Sequence, residues 1–410
     1  MKRTVLALLA ACLALAAAAP SSGKPDDVKD SRSLVDTIRG PLEALRGLSF
    51  TKPLVTREVT PQEARHEITR ILGEEYPPGR LAGEQEAFRY FGFIGPDVDL
   101  ESTLLDLLEG QVAGLYDPGT RTLFLVKGPL LGSLALAHEM DHALMDQHYD
   151  LDRLEKAAMN DDDRSLALSG LVEGEATMVM NLWAVRSSMD PNLPPLTQGS
   201  PDDLMAAAAV GLDSAPAYLS DSLMFPYVAG SMWAAEIMKR GGGLKALDPY
   251  FLDPPVSTEQ ILHPEKSVTP RDVPSSIAPS LLDAVLPAGA RVIKRDTMGE
   301  FSIRSLLGGD DVPSAVDAAG GWDGDRFLLA SAGGGRFLTW ISVWDSEEDA
   351  GEFDDAIGGW LRGRKVPGGF ATRRKGQVVL VAEGAPESVP SPEERIAKLL
   401  PLLAEGVRLR

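Results

Sequence analysis

His138 and His142, four residues apart with Glu139 beside the first, are the residues whose types and spacing best suit bond-breaking chemistry. At about 100° per residue, positions four apart share one helix face, so both imidazoles can reach one metal ion. Glu139 adjoins them and is suited to take a proton from a zinc-activated water. The flanks are apolar, Leu134 to Ala137 before and Ala143-Leu144 after. A buried helix carrying such groups needs partners for them, because unpaired buried polar groups are costly. The chain has five histidines, and three of them fall within residues 138–148, so the pattern is a local concentration.

A hydrolytic zinc site takes three protein ligands and keeps a position for water. Glu173 and Glu175 lie in the otherwise apolar run Ser169-Gly170-Leu171-Val172-Glu173-Gly174-Glu175-Ala176-Thr177, where a carboxylate requires a cation. Two apart on a helix, they point in nearly opposite directions, so one of them faces the metal. Glu173 is expected to be that one, with Gly174 beside it allowing close helix approach, and Glu175 is the fallback. His148, six residues after His142, has the spacing of a metzincin third ligand. However, Met145 stands where that pattern needs a glycine to leave the helix. Capping the helix C-terminus together with Asp150 is the other role for His148.

These residues sit in a chain of mixed elements. Thr60-Pro61-Gln62-Glu63 is a capping box that opens a helix to about Glu75. Helical patterns follow near 82–92 and 100–111. Val112 to Tyr116 and Thr122 to Val126 flank the turn Asp117-Pro118-Gly119-Thr120 and read as a hairpin. Residues 131–148 and 164–187 read as helices, 190–201 as a proline-rich loop, and 202–211 and 228–240 as further helices. Beyond about 270, strand patterns at 326–332, 337–343 and 377–382 alternate with helices at 347–361 and 392–404. The expected class is α+β: a mostly helical domain with a small sheet over 46–268, then a smaller domain of antiparallel sheet and helices over 269–410. Lys2, Arg3, the apolar run Val5–Ala16 and the small residues to Ala19 predict a signal peptide over 1–19, and residues 20–45 read as a tether. Cys12, the single cysteine, sits in a Leu-Ala-Ala-Cys context that also fits a lipoprotein signal. A secreted, periplasmic or lipid-anchored location follows, with no membrane span in the mature chain.

The HExxH motif with a downstream glutamate resembles the gluzincin zinc metallopeptidases, the thermolysin-like group, over the segment from the hairpin to Thr177. The resemblance implies a zincin-like catalytic domain over 46–268 and a bound Zn2+. It implies His138, His142 and Glu173 as ligands and Glu139 as general base. It also implies a substrate strand laid along Thr122–Val126. Glu173 is not set in the Asn-Glu-x-x-x-Asp pattern of thermolysin. The chain further resembles a family of exported bacterial proteins through the runs Gln111 to Pro118, His138 to Leu151 and Ser257 to Pro264, a likeness that brings no substrate with it.

Peptide hydrolysis also needs a donor for the developing oxyanion. His263, in the connector before Pro264, and Tyr227, in Phe225-Pro226-Tyr227, are the candidates, each having a turn-holding role as the alternative. Asp141 and Asp146 can orient a ligand histidine, although surface helix charge is the simpler reading of Asp141. His66 reads as solvated, and Gly320 to Asp325 as a turn. Net charge is −20, and −22 once Lys2 and Arg3 leave, which gives no overall attraction for nucleic acid or anionic lipid. The expected function is a secreted zinc peptidase acting on a peptide or protein. The alternatives are a non-catalytic envelope-binding protein that keeps the fold, and a zinc amidase for a non-protein envelope substrate.

Overall fold

The computed structural model describes residues 31–75, 79–109, 114–127, 132–196, 212–310 and 312–409. The expected signal peptide, Cys12, residues 112–113 of the hairpin, Gly128-Pro129 and the helix at 202–211 lie outside them. The described chain is α+β, helical in its N-terminal part and built on an antiparallel sheet in its C-terminal part. It divides into two compact units, one from Met1–Pro78, Asp97–Met159 and Ser165–Pro255, the other from Gly79–Pro96, Asn160–Arg164 and Val256–Arg410.

In the first unit, α1 (Ser31–Arg46) is a helix over the described part of the tether expected at 20–45, and residues 20–30 lie outside the described residues. Val35, Ile38 and Leu42 recur at helical spacing and are buried, and Arg46 continues their stripe. β1 (Val55–Val59) leads into α2 (Pro61–Glu75), whose capping box forms as expected: Glu63 Oε2 accepts from the Thr60 N–H at 2.8 Å, and Thr60 Oγ1 from the Glu63 N–H at 3.2 Å. After α3 (Leu100–Glu109) come β2 (Gly114–Asp117) and β3 (Thr122–Val126), paired antiparallel. Asp117 holds their turn, accepting from the Gly119 N–H and the Thr120 hydroxyl at 2.8 Å each. β1 joins the far side of β3 in parallel, so the strand order is β1-β3-β2. β3 is therefore bonded on both sides, and the substrate strand expected along Thr122–Val126 has no edge there. β2 is the edge strand beside the histidine helix.

That helix is α4 (Ser133–Tyr149), buried at every position from Ser133 to Asp146. It runs past His148 to Asp150, which adopts φ 57° and also caps α5 (Leu151–Ala158). α6 (Asp162–Met189) and α7 (Ala217–Gly241) follow. α7 contains Pro226, so Tyr227 lies inside a helix, not in the loop that Phe225-Pro226 suggested. α6 and α7 cross in contact. A Cβ on Gly174 would sit 2.3 Å from the Gly230 carbonyl oxygen, and one on Gly230 would sit 2.3 Å from that of Gly170.

Arg46, at the end of α1, is fully buried. Its guanidinium donates to Glu175 Oε1 and, at 2.5 Å, to Asp248 Oδ1. Asp141, expected as surface charge, is also fully buried and lies within electrostatic reach of Arg46.

The second unit carries a five-stranded antiparallel sheet in the order β5-β6-β7-β9-β8. After the short β4 (Ser276–Ile277), its strands are β5 (Arg291–Asp296), β6 (Trp322–Ala332), β7 (Gly335–Trp344), β8 (Phe370–Lys375) and β9 (Val378–Glu383). Alternation sorts its side chains. Leu328, Ala330, Ile341, Val343, Leu380 and Ala382 meet Ile396, Leu399 and Leu403 in one core. Trp340 and Trp344 pack on Phe353 of the helix Glu347–Gly363. Asp323 and Asp325, read as part of a turn, belong to β6 and are buried. Asp325 accepts from both the Trp322 and Trp340 indoles and from the Met298 and Gly299 N–H groups. Among the described residues, no helix is long and apolar enough to cross a membrane.

Arg46→Ala strands the buried Glu175 carboxylate without its cation. We expect a loss of about 3–5 kcal/mol of stability in urea unfolding, and a loss under about 1 kcal/mol would contradict the role given to this arginine.

Candidate metal centre

α4 presents His138 and His142 on one face, and α6 brings Glu173 to meet them. The imidazole Nε2 atoms lie 3.0 Å apart. His138 Nε2 is 3.1 Å from Glu173 Oε2, and His142 Nε2 is 3.4 Å from Glu173 Oε1. Donors about 2.0–2.2 Å from a shared tetrahedral centre would stand about 3.3–3.5 Å apart, so the set has the span of a ligand cluster. All three side chains are buried, and together they form a group able to hold a metal ion. Two imidazole nitrogens facing each other at 3.0 Å cannot both keep a proton pointed at the other. A cation between them satisfies both lone pairs and the carboxylate at once.

The electrostatics favour a cation at this point. Burial pushes the His142 pKa down, but the charges of Glu173, Glu139 and Asp141 outweigh it and raise the pKa to about 9. Burial pushes Glu173 up, but the two histidines hold it at about 2. The field that draws a proton onto His142 also draws a divalent ion, which must displace that proton to bind.

Glu139 is fully buried. Its Oε2 accepts from the Tyr116 backbone N–H of β2 at 2.7 Å, while Oε1 has no hydrogen-bond partner among the described residues. Burial raises its pKa, against the attraction of both histidines. Gly114, also in β2, makes room for it, since a Cβ there would lie 3.2 Å from Glu139 Cγ. Tyr227 of α7 is buried, and its ring stacks on His138 with centroids 6.2 Å apart and planes at 23°.

The structure brings together His138, Glu139, His142, Glu173 and Tyr227. Glu175 faces Arg46 instead, as two-residue helical spacing requires. His148 bonds the Ser49 carbonyl at 2.9 Å through Nε2 and stays with the exposed end of α4. Asp146 holds β2, not a histidine: it accepts from the Tyr116 hydroxyl at 2.8 Å and from the Leu151 N–H. His66 is exposed, as expected. His263 falls in the second unit, where Nε2 meets the buried Glu300 carboxylate at 3.0 Å. Arg304 donates to the same oxygen at 2.6 Å. Arg46 and the Tyr116 N–H are not among the residues that the sequence singles out. The Ile38-Leu42-Arg46 spacing is the signal that points to Arg46, while a backbone donor carries no side-chain signature.

Residues 289–389 match a family described as a domain of unknown function, DUF8575, and that segment holds all five strands of the second unit's sheet. No curated protein and no solved structure matches the chain.

The hydrogen bond to Glu300 raises the pKa of His263 above its ordinary 6.5, with burial opposing and the Glu300 charge reinforcing. A raised folded-state pKa stabilises the protein below the unfolded value, and that stabilisation is lost as pH rises through the folded one. His263→Gln should therefore lower the urea midpoint near pH 5.5 and have a smaller effect near pH 9. An equal effect at both would rule out the ion pair as the source.

Proposed function

We propose that this chain is an exported zinc-dependent peptidase of the gluzincin type, with a zincin-like catalytic domain. The observation that carries this reading is the convergence of His138, His142 and Glu173 on one point, with the Glu139 carboxylate tethered beside them. A purely structural metal has no use for that fourth group. His138, His142 and Glu173 would hold the zinc, leaving one position of four for water or substrate. Zinc, when bound, supplies Lewis acidity, lowering the pKa of water and polarising the scissile carbonyl.

The remaining steps belong to this chain's own residues. The Tyr116 N–H anchors Glu139 Oε2, which leaves Oε1 to take the proton of the attacking water and pass it to the leaving amine. That anchor lies on the side of β2 away from β3. A substrate strand added along β2 would therefore bring its backbone to Glu139. Tyr227, stacked on His138, is the proposed oxyanion donor. His263, engaged with Glu300, has no part in the proposed mechanism.

One observation favours a second reading, a closed metal site in a non-catalytic binding protein: His138, Glu139, His142 and Glu173 are each no more than 3% exposed. Two measurements separate the readings. Mature protein purified without added metal or chelator is expected to hold about one zinc per chain. The zinc should be lost in His138→Ala and Glu173→Ala and kept in Glu175→Gln and His148→Ala. Peptide-library cleavage should fall about a hundred- to ten-thousandfold in Glu139→Gln with zinc content and folding unchanged. Full zinc without cleavage would favour the closed site, and folded protein without tightly bound zinc would sink both readings.

A further inference from the structure

The second unit contains a cavity of about 770 Å³ whose charge runs against that of the chain. Acidic residues outnumber basic ones by 60 to 40 overall. The cavity lining nevertheless includes Arg89, Arg291, Arg336, Arg364 and Lys365 against one carboxylate, Glu86. They come from separate elements: the helix Arg80–Phe91, the start of β5, the start of β7, and the segment after the helix Glu347–Gly363.

Several of these cations are held in place. Glu86 receives Arg291 Nη2 on one oxygen at 2.8 Å and Arg336 Nε on the other at 2.7 Å, which sets two guanidiniums side by side. Arg364 donates to the buried Glu383 and to the Tyr90 carbonyl, each at 2.7 Å, and lies over the Trp360 and Tyr90 rings. Leaving Arg89 aside and counting Glu383 as well, four cations face two carboxylates, a surplus of two positive charges. At Gly334, on the wall, a side chain would meet nothing within 4 Å, so the backbone there is open to a ligand. A guanidinium has five N–H donors in a fixed fork, and each contact above uses only one or two of them.

We propose that this cavity is a binding site for a small phosphate-bearing anion. A single carboxylate carries too little charge to balance the surplus, whereas a phosphoryl group carries about −1.5 to −2 and offers oxygens that match guanidinium forks. The volume is that of a small-molecule site. A polyanionic polymer would meet long-range repulsion from a chain of net charge −20, while a small anion is governed by the local field. Most of the lining lies in the segment matched by DUF8575, and the site is independent of the metal centre.

Calorimetric titration of the whole mature protein with inorganic pyrophosphate tests this. One site is expected, weakening at least tenfold on raising salt from about 50 to 300 mM, as screening requires. Arg336→Glu, at a half-exposed side chain, and Lys365→Glu, at an exposed one, should each weaken binding at least tenfold while leaving the circular dichroism unchanged. His138→Ala should leave it intact, which excludes capture by the metal centre. Sedimentation with phosphatidylglycerol vesicles then distinguishes the source. No sedimentation alongside pyrophosphate binding means a soluble phosphate ester, and sedimentation competed by pyrophosphate means a lipid headgroup. No binding at low salt, binding untouched by both charge reversals, or binding lost in His138→Ala would overturn the proposal.

Discussion

The first unit depends on one constraint: charge that has been taken out of water must be balanced inside the protein. Helix α4 has no exposed face from Ser133 to Asp146, yet within that span it carries two histidines, a glutamate and two aspartates. Taking a single ion out of water costs several kcal/mol even after relaxation. Each of these groups is therefore answered from another element. Arg46 of α1 attracts Asp141 through space, with no hydrogen bond to either Asp141 oxygen among the described residues, β2 holds Glu139 through a backbone N–H and Asp146 through the Tyr116 hydroxyl, and α6 brings Glu173 to the histidines. The neighbours of α4 are arranged around its charges as much as around its leucines.

Helical geometry turns that constraint into a site. α6 carries two glutamates two positions apart, which makes them face different ways. One meets the permanent cation of Arg46, the other meets a pair of imidazoles. Glycines at 170, 174 and 230 let α6 and α7 touch backbone to backbone, and three residues before Gly230 the same helix places Tyr227 against His138. Replacing Gly174 or Gly230 would force the helices apart and carry Glu173 or Tyr227 with them.

Much of this was legible because local chemistry and tertiary structure agree. The capping box at Thr60, the Asp117 turn, and the apolar, strand-like runs at 326–332, 337–343 and 377–382 all form the elements their patterns describe. Helical angle lets only one of Glu173 and Glu175 face the metal, Gly174 points to Glu173, and the Gly174–Gly230 contact supplies the close approach. Failures came where burial depends on a distant partner. Asp141 reads as surface charge unless Arg46 is known to lie opposite, and α1 reads as a tether because its stripe ends in a charge. Pro226 suggests a loop, yet α7 runs through it. β1, β5 and β8 are edge strands with polar or half-exposed faces, so they lack the apolar runs that mark the buried β6, β7 and β9. Asp325 sits in a Gly-Asp run that looks like a turn, and its four donors all come from outside that reading or from indoles.

The charges around α4 carry a further implication. Glu139, Asp141, Glu173 and Glu175 are essentially inaccessible, and one guanidinium, Arg46, is buried with them. Four carboxylates against one permanent cation leave three negative charges to be balanced; burial raises the pKa of Glu139, Asp141 and Glu175, so protons can supply part of that balance, while Glu173, held at about 2, keeps its charge beside the histidines. Protonating His142 covers one further charge, but it leaves the two facing Nε2 atoms contesting a single proton. A divalent ion at that point covers two charges and satisfies both nitrogens through their lone pairs. The same ion would relieve Glu139, whose rise in pKa comes first from burial. The proposed zinc is thus a means of balancing charge for the fold as well as a reagent for the chemistry. Binding energy of that kind is folding energy wherever the site is assembled only in the native state.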